Sequence, residues 1–183
     1  ARFLAPFLCL GSGVYRLHGV PRMHERPQAA LFSALRELGY RVESEKGNDK
    51  LPVKIFGCRS RGDETQTEKE SQSLLTSSPT RKCRVSIEES SQFASALLLS
   101  AKRGGWEIKI VGENADESPY VVMTSRLVEV FLKSGGTFQI EPDASSGSYF
   151  IASGELFGSG EAWLITVADW PNSSWQVDAN FIS

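Results

Sequence analysis

Apolar residues in the first part of the chain recur at spacings that alternate between helix and strand. Leu31, Leu35 and Leu38 lie at positions i, i+4 and i+7, which predicts a helix that begins at Pro27 and ends before Gly39. Short apolar segments bounded by turn residues predict strands at residues 40–43, 53–56, 84–87 and 106–111.

Further helices are predicted between and after these strands. Ser90 is the expected N-cap of a helix that runs to about Lys102 and closes at Gly104-Gly105. The next helix covers residues 119–133, and the order strand, helix, strand recurs at residues 138–140, 144–156 and 162–167. This alternation predicts an α/β (α+β) fold of repeated αβ units, in which helices cover sheets.

The composition changes at two places along the chain. Residues 57–82 are almost entirely polar, and Cys58, Leu74 and Leu75 are the clearly apolar exceptions. Because such a segment buries too little apolar surface to offset its ordering entropy, we expect a mobile surface loop. The Ser-Gly-Gly sequence at residues 134–136 is expected to form a flexible hinge.

Composition and charge exclude several classes of protein. The 183 residues carry a formal net charge of −2, so a nucleic-acid partner is not expected. The longest apolar run, residues 3–10, is far shorter than a membrane span. Three cysteines without C-x-x-C spacing indicate neither a disulfide framework nor a zinc site, which favours a reducing, cytoplasmic location.

The residues that most often mark a cofactor or metal site show no such pattern here. His18 and His24 lack the spacing of metal ligands, so no metal site is predicted. The sequence has no nucleophile elbow, no P-loop and no dinucleotide fingerprint. Trp163, Trp170 and Trp175 have a spacing more typical of core aromatics than of ligand stacking.

Three predicted helices begin with clusters of small polar residues. Free backbone N–H groups at a helix start carry partial positive charge, so hydroxyl groups placed there suit a phosphate or carboxylate ligand. The alternative is simple N-capping without a ligand. The clusters are Ser90-Ser91-Gln92, Glu117-Ser118-Pro119-Tyr120 and Asp143-Ala144-Ser145-Ser146.

The segment between Pro21 and Pro27 combines charged residues in a turn that leads into a helix. Arg22 and Arg26 each offer a guanidinium fork that suits a phosphate or carboxylate, and Glu25 could hold one fork in position. The alternative is a surface ion pair that contributes little to stability.

The sequence motifs PRMHERP, SSQFASALLLSA, SPYVVMT and EPDASSGSYFIA, in this order, resemble the 3-phosphoshikimate 1-carboxyvinyltransferase (EPSP synthase) family. Residues 174–178 resemble the family's S-x-Q-x-D segment, and residues 1–4 resemble the continuation of its N-A-G-T-A-x-R loop. The resemblance covers nearly the whole chain except residues 57–82. The related UDP-N-acetylglucosamine enolpyruvyl transferases lack the paired PRMxERP and SSQF motifs.

The resemblance implies transfer of the enolpyruvyl group of phosphoenolpyruvate to the 5-hydroxyl of shikimate 3-phosphate, with release of phosphate and without a metal or organic cofactor. It also implies a two-lobed fold that is incomplete at both ends. Residues 1–134 would form most of the first lobe, and residues 135–183 the start of the second. A cytoplasmic monomer is expected.

The resemblance further implies a role for five residues. Arg26 matches an arginine that contacts phosphoenolpyruvate and is a target of glyphosate, so glyphosate is a further candidate ligand. Ser90 and Ser91 match the pair that holds the phosphate of shikimate 3-phosphate. Gln92 matches a glutamine that reaches both substrates, and Tyr120 a tyrosine beside the shikimate ester.

Several family features have no counterpart in the chain. The G-S-K-S segment, the P-D-A motif with its catalytic aspartate, and the later D-H-R and K-T-F-P motifs are not found. No catalytic residue is therefore predicted within the chain, and the isolated chain is expected to be inactive. Glu88-Glu89 precede Ser90 where the family has small or neutral residues, and Glu117 stands where it has a phosphate-binding serine.

Two alternatives to an enzyme fragment stay open. The chain could be a decayed or repurposed relative that acts as a non-catalytic anion-binding or interaction module, as Glu88-Glu89 and residues 57–82 suggest. It could also be one part of a split enzyme that a separate chain completes.

Overall fold

A computed structural model of the chain describes residues 1–57, 81–113, 118–131, 136–157 and 165–182, in which helices and strands are mixed as predicted. By contacts the chain divides into two compact units, Ala1–Thr124 and Ser125–Ser183. The helices are α1 (Leu4–Cys9), α2 (Pro21–Glu25), α3 (Ala29–Glu37), α4 (Gln92–Gly104), α5 (Pro119–Val130), α6 (Ala144–Phe157) and a 3-10 helix (Val177–Ile182). The strands are β1 (Val14–Leu17), β2 (Val42–Ser44), β3 (Val53–Phe56), β4 (Arg81–Ser86) and β5 (Trp106–Val111).

The first unit contains a small antiparallel sheet in the order β1-β3-β2. Its central strand β3 alternates between the core and solvent, since Val53 and Ile55 are fully buried and Lys54 is exposed. β3 pairs with β1 so that Leu17 faces Val53, and with β2 so that Val42 faces Ile55. Burial of one face of β3 fixes this register, because a shift by one residue would expose both apolar side chains.

A strand–helix–strand segment follows, in which β4 and β5 pair in parallel and α4 connects them. The helix begins one residue later than predicted, and Gly105 ends it in the left-handed conformation with φ of 64°. Glycine suits this position because a Cβ atom disfavours positive φ. The predicted strand 106–111 is confirmed, and the predicted strand 84–87 begins earlier, at Arg81.

The core of the first unit lies where α3 and α4 pack on the strands. Leu31 and Leu35 of α3 are fully buried, as are Phe93 and Leu97 of α4. The helix predicted from Pro27 is confirmed, although it starts at Ala29. The i, i+4 spacing of the two leucines therefore identifies the face of α3 that packs in the core.

The second unit is built around α6 and the 3-10 helix. Gln176 connects them, because its side-chain oxygen accepts from the Ala144 N–H at 2.9 Å and its side-chain nitrogen donates to the Pro142 carbonyl at 2.8 Å. The Trp170 ring lies over Gly147, where an added Cβ would come within 2.9 Å of it. The Trp170 indole N–H donates to the Ala179 carbonyl at 3.0 Å.

Three short elements of the first unit were not predicted. Residues 3–10 contain helix α1, in which Pro6 occupies the first turn, where proline removes no helical hydrogen bond. Strand β1 was not predicted, and neither was a helix in the segment 21–27, which was interpreted as a turn. α2 occupies one turn of that segment, with Pro21 at its first position.

Two predicted strands in the second unit are wrong within the described ranges. Residues 138–140 and the described part of 162–167, residues 165–167, form no strand; residues 162–164 lie outside the described ranges. A strand needs a hydrogen-bonded neighbour, and the apolar pattern alone supplies none. Phe138 instead stacks on Trp175, with ring centroids 6.2 Å apart.

Other predictions fall partly or wholly outside the described residues. Of the loop predicted at 57–82, residues 58–80 are not described, and Arg81 and Lys82 belong to β4, so the loop prediction is wrong for these two. The lobe boundary predicted between residues 134 and 135 also lies outside and stays a prediction. Over the ranges that are described, no helix is long and apolar enough to span a membrane.

Candidate phosphate-binding site

A guanidinium group joins two of the predicted site residues at the start of α4. Nη1 of Arg2 donates to Oγ of Ser90 and to Oε1 of Gln92, both at 2.9 Å. Oγ of Ser90 also accepts from the backbone N–H of Gln92 at 3.2 Å. The hydroxyl, the side-chain amide and the guanidinium therefore form one connected polar cluster, which we call the Arg2 cluster (Arg2, Ser90 and Gln92).

The packing of α1 on α4 places this cluster. Arg2 comes two residues before α1, whose Ala5 and Cys9 are buried in the core. The Arg2 guanidinium lies over the ring of Phe93, 4.9 Å from its centroid, and Phe93 itself is fully buried. An arginine plane resting on a buried aromatic ring is held more rigidly than one in solvent, because cation–π attraction adds to the hydrogen bonds.

Charged residues of both signs act on Arg2. Partial burial lowers the pKa of Arg2, and the nearby positive charge of Arg26 lowers it further, whereas Glu89 raises it. Arginine stays protonated in proteins even with a lowered pKa, so Arg2 and Arg26 are two cations that repel one another. A bound anion would relieve this repulsion.

One donor of Arg2 has no partner in the described part of the chain. Its Nε atom is inaccessible to solvent and makes no hydrogen bond there. A buried donor without an acceptor costs free energy. The Gln92 and Phe93 N–H groups at the start of α4 donate to Ser90, and the helix runs from Gln92 to Gly104, long enough to place the positive end of its dipole beside the cluster. The arrangement is chemically suited to a phosphate or carboxylate group.

Arg26 follows α2 directly as its C-cap residue and is exposed. The ion pair that the sequence left open is formed by its neighbours, since Nη1 of Arg22 lies 2.9 Å from Oε2 of Glu25. These two side chains are 80% and 63% exposed, so this pair is the surface ion pair of low energetic value. Of the two arginines in this segment, Arg22 is therefore the one that pairs with Glu25.

Tyr120 lies in the first turn of α5 and is 43% exposed. Its backbone is tied to α4: Oγ1 of Thr124 contacts the Tyr120 carbonyl at 2.7 Å and Oγ of Ser95 at 2.8 Å. Ser95 stands one helical turn after Gln92, so α5 starts beside the same end of α4. Glu117, which the resemblance places where the family has a serine, lies outside the described residues.

The third predicted polar cluster, at the start of α6, is an N-cap. The Asp143 carboxylate accepts from the Ser145 N–H at 3.1 Å and from the Ser146 hydroxyl at 2.6 Å. The Ser146 hydrogen bond holds the pKa of Asp143 below its ordinary value. The carboxylate itself supplies the anion at this helix start, so simple capping is the correct interpretation here.

Comparison with known proteins decides the family. A sequence model described as EPSP synthase (3-phosphoshikimate 1-carboxyvinyltransferase) matches residues 1–132 of the chain. The chain belongs to the EPSP synthase family. Relatives named 3-phosphoshikimate 1-carboxyvinyltransferase in Burkholderia vietnamiensis and Burkholderia ambifaria are each 33% identical to it over 181 residues. The one from Paraburkholderia phytofirmans is 32% identical over 181 residues.

Each of these alignments covers 86% of this chain but 38% of the relative. The chain therefore spans less than two fifths of the length of these EPSP synthases. The match includes the Arg2 cluster and the segment of Arg26, which both lie within residues 1–132.

Arg2 is the residue of this candidate site that the predicted set leaves out. Residues 1–4 resemble a family loop, but the resemblance assigns no role to the arginine. The sequence feature that could have identified Arg2 is its isolation, since it is the only charged residue among the first ten. A lone arginine in an apolar segment usually has a specific partner, because burying part of an unpaired cation is costly.

Proposed function

We propose that this chain is the part of an EPSP synthase that holds the phosphate of shikimate 3-phosphate and contacts phosphoenolpyruvate. The whole enzyme would transfer the enolpyruvyl group to the 5-hydroxyl of shikimate 3-phosphate and release phosphate. The observation that carries the proposal is the Arg2 cluster, in which one guanidinium holds Ser90 and Gln92 at a helix start.

Ser90 and Ser91 are proposed to grip the substrate phosphate. Two hydroxyl groups would donate to its oxygens at the positive end of α4, and the Arg2 guanidinium would balance its charge. The hydrogen bond from Arg2 turns the Gln92 side-chain oxygen toward the guanidinium. This leaves the Gln92 NH₂ group as a donor for substrate.

Arg26 is proposed to contact phosphoenolpyruvate, and glyphosate in its place. Its charge already acts on Arg2, which supports a short distance between the two cations. Two anionic substrates repel each other in water, so fixed positive groups between them lower the cost of bringing them together. Tyr120 is proposed to lie beside the shikimate ester.

The proposal includes the larger architecture that the family resemblance implies. The αβ units would repeat and form two lobes around a cleft, of which this chain provides residues 1–134 and the start of the second lobe. Since the family's catalytic aspartate and later lysines have no counterpart here, the isolated chain is proposed to bind substrate without turnover. A cytoplasmic location and a chain that does not self-associate belong to the same proposal.

Calorimetric titration of the purified chain with shikimate 3-phosphate tests the binding step. We expect saturable binding that is weakened about tenfold or more in the Ser90→Ala/Ser91→Ala variant, because charge-assisted hydrogen bonds to phosphate are lost. Ser33→Ala is the matched control, since Ser33 is an exposed serine of α3. Equal affinity in all three chains would contradict the proposal.

A phosphate-release assay tests the absence of turnover. The isolated chain is mixed with phosphoenolpyruvate and shikimate 3-phosphate, and we expect no release above background. Release that depends on Arg26 would show that the chain has a complete site of its own.

A second function is favoured by the acidic pair beside the site. Glu88 and Glu89 are both exposed and directly precede Ser90, and Glu89 acts on the charge of Arg2. Because two carboxylates oppose tight binding of a substrate phosphate, a repurposed relative could keep the Arg2 cluster as a weaker, general anion-binding module. Such a module would bind inorganic phosphate as tightly as shikimate 3-phosphate, whereas an enolpyruvyl transferase site would prefer the shikimate ester.

A further inference from the structure

Two acidic residues stand directly before the Arg2 cluster, and the chain bends at both of them. Glu88 and Glu89 lie between the end of β4 and the start of α4, and both side chains are exposed. Within the ranges that the structure describes, neither carboxylate forms an ion pair. The two acids carry the same charge, but their surroundings differ.

The side chain of Glu88 lies against the end of β5. Its Cγ atom is 3.9 Å from the position that a Cβ atom on Gly112 would occupy, and Gly112 directly follows β5. The backbone N–H of Glu88 donates to Oγ of Ser86 at 3.2 Å, at the end of β4. Glu88 is therefore associated with the ends of the two parallel strands.

Glu89 is instead associated with Arg2. It directly precedes Ser90, whose Oγ accepts from Nη1 of Arg2 at 2.9 Å. Its negative charge raises the pKa of Arg2, whereas burial and the positive charge of Arg26 lower it. Among the charges that act on Arg2, Glu89 is thus the negative one, and it acts as an internal counter-ion before any ligand binds.

The same carboxylate opposes a ligand phosphate. Glu89 offsets one of the two positive charges that Arg2 and Arg26 bring to the site, and a phosphate monoester carries about −1.5 to −2 charges at pH 7. Repulsion between a carboxylate and such a phosphate at a partly exposed site changes affinity by about tenfold. Stabilisation of the empty site by Glu89 therefore weakens the bound state.

We propose that Glu89 limits the affinity of the Arg2 cluster for a phosphate group, because its carboxylate already neutralises part of the charge that the ligand needs. Glu88 lies beside Gly112 and has the smaller effect. The proposed function identifies the ligand as the phosphate of shikimate 3-phosphate, so this inference rests on that function. The consequence is a site that releases its phosphoester readily rather than one that holds it tightly.

Calorimetric titration of the full chain with shikimate 3-phosphate, and separately with inorganic phosphate, tests the role of Glu89. Glu89→Gln removes the charge and keeps the size of the side chain, so we expect both ligands to bind about tenfold more tightly than to the wild type. Glu89→Asp keeps the charge and should bind as the wild type does. Glu88→Gln is the matched control, with a gain of about twofold or less.

The dependence of affinity on salt separates a charge effect from a change in shape. In the wild type, the attraction of the phosphate to Arg2 and its repulsion by Glu89 are both screened by salt, so the two effects partly cancel. Affinity in Glu89→Gln should therefore fall more steeply with sodium chloride. The two chains should converge near 1 M salt, where the screening length is about 3 Å. Circular dichroism checks that the exposed substitutions leave the fold intact.

Several results would overturn the inference. They are an affinity that Glu89→Gln leaves unchanged or lowers, an equal gain in Glu88→Gln, a gain that persists in full at 1 M salt, and no binding of either anion by any of the chains. Preferred binding of shikimate 3-phosphate that Glu89→Gln does not strengthen refutes this inference and leaves the proposed function standing. Equal affinity for the two ligands, with the gain in Glu89→Gln, does the reverse.

Discussion

Arg2 and Ser90 are 88 positions apart in sequence, yet Nη1 of Arg2 lies 2.9 Å from Oγ of Ser90. The same nitrogen holds Gln92. Arg2 thus fixes two of the residues that the family resemblance assigns to substrate, and it lies within the part of the chain that matches the family. It acts as a positioning residue as well as a source of charge.

Replacement of Arg2 by glutamine should weaken shikimate 3-phosphate binding by about 10- to 100-fold, since a hydrogen bond to a charged group contributes roughly 1.5–3 kcal/mol. Arg2→Lys should recover part of the affinity, because lysine restores the charge without the fork. Calorimetric titration measures both. Arg22→Gln, at an arginine 80% exposed, should bind as the wild type; a loss equal to that of Arg2→Gln would contradict the positioning role.

The contact between α4 and α5 depends on a buried pair of hydroxyl groups. Thr124 and Ser95 are each 6% exposed, and their oxygens lie 2.8 Å apart. Thr124→Val keeps the shape and should lower the free energy of unfolding by about 1–2 kcal/mol, because the Ser95 hydroxyl loses the nearer of its two partners and keeps the Tyr120 carbonyl at 3.5 Å. Urea denaturation measures the change.

A double-mutant cycle separates this interaction from local packing. Thr124→Val combined with Ser95→Ala should cost less than the sum of the two single changes, since each removes the same hydrogen bond. Strict additivity would show that the two hydroxyl groups do not interact.

The turn between β2 and β3 is tied to α3 by a two-pronged ion pair. Arg36 Nη2 lies 2.6 Å from Oδ1 of Asp49, and Nη1 lies 3.2 Å from Oδ2. Hydrogen bonding to Arg36 lowers the pKa of Asp49, so its stabilising effect is present above the ordinary aspartate pKa, about 3.9. That effect is lost as the pH falls through the lower pKa of the folded state.

Asp49→Asn should therefore reduce the free energy of unfolding by about 0.2–1 kcal/mol at pH 7, the range for partly exposed pairs. The difference from the wild type should disappear in strong acid. Asparagine suits the site because Asp49 has a φ of 51°. Denaturation at a series of pH values checks this, and a difference that stays constant into acid would exclude the ion pair as its cause.

The buried thiol of Cys83 should make the free energy of unfolding fall at alkaline pH. Burial, with a smaller contribution from Glu37, raises the pKa of the Cys83 thiol from 9.0 to about 12. The folded state keeps this proton where the unfolded state loses it, so stability is fully present below pH 9 and falls as the pH rises toward 12.

The Cys83→Ala variant lacks this titration. Its deficit in free energy of unfolding relative to the wild type should therefore shrink between pH 9 and pH 12, since Cys9 is present in both chains. Denaturation curves across that range measure the gap. A gap that stays constant across that range would show that the folded state does not disfavour the thiolate.

Local spacing was enough to predict the elements with strong patterns. The leucines at 31, 35 and 38 predicted α3, and the segment 106–111 was predicted with its observed bounds. Both depend on neighbours within one or two turns of chain, which the sequence shows directly. The polar start of α4 was predicted for the same reason.

Contacts between distant segments were decided only by the tertiary structure. The strand predicted at 138–140 did not form, because a strand needs a partner that apolar spacing does not specify. The site predicted from the sequence did not include Arg2, because only the packing of α1 on α4 brings that side chain to Ser90. Likewise, the sequence of α6 shows apolar residues, but only the structure shows that Tyr149 and Leu156 are exposed. Sequence determined the local periodicity and the family; folding decided which distant groups meet, since such contacts depend on three-dimensional packing.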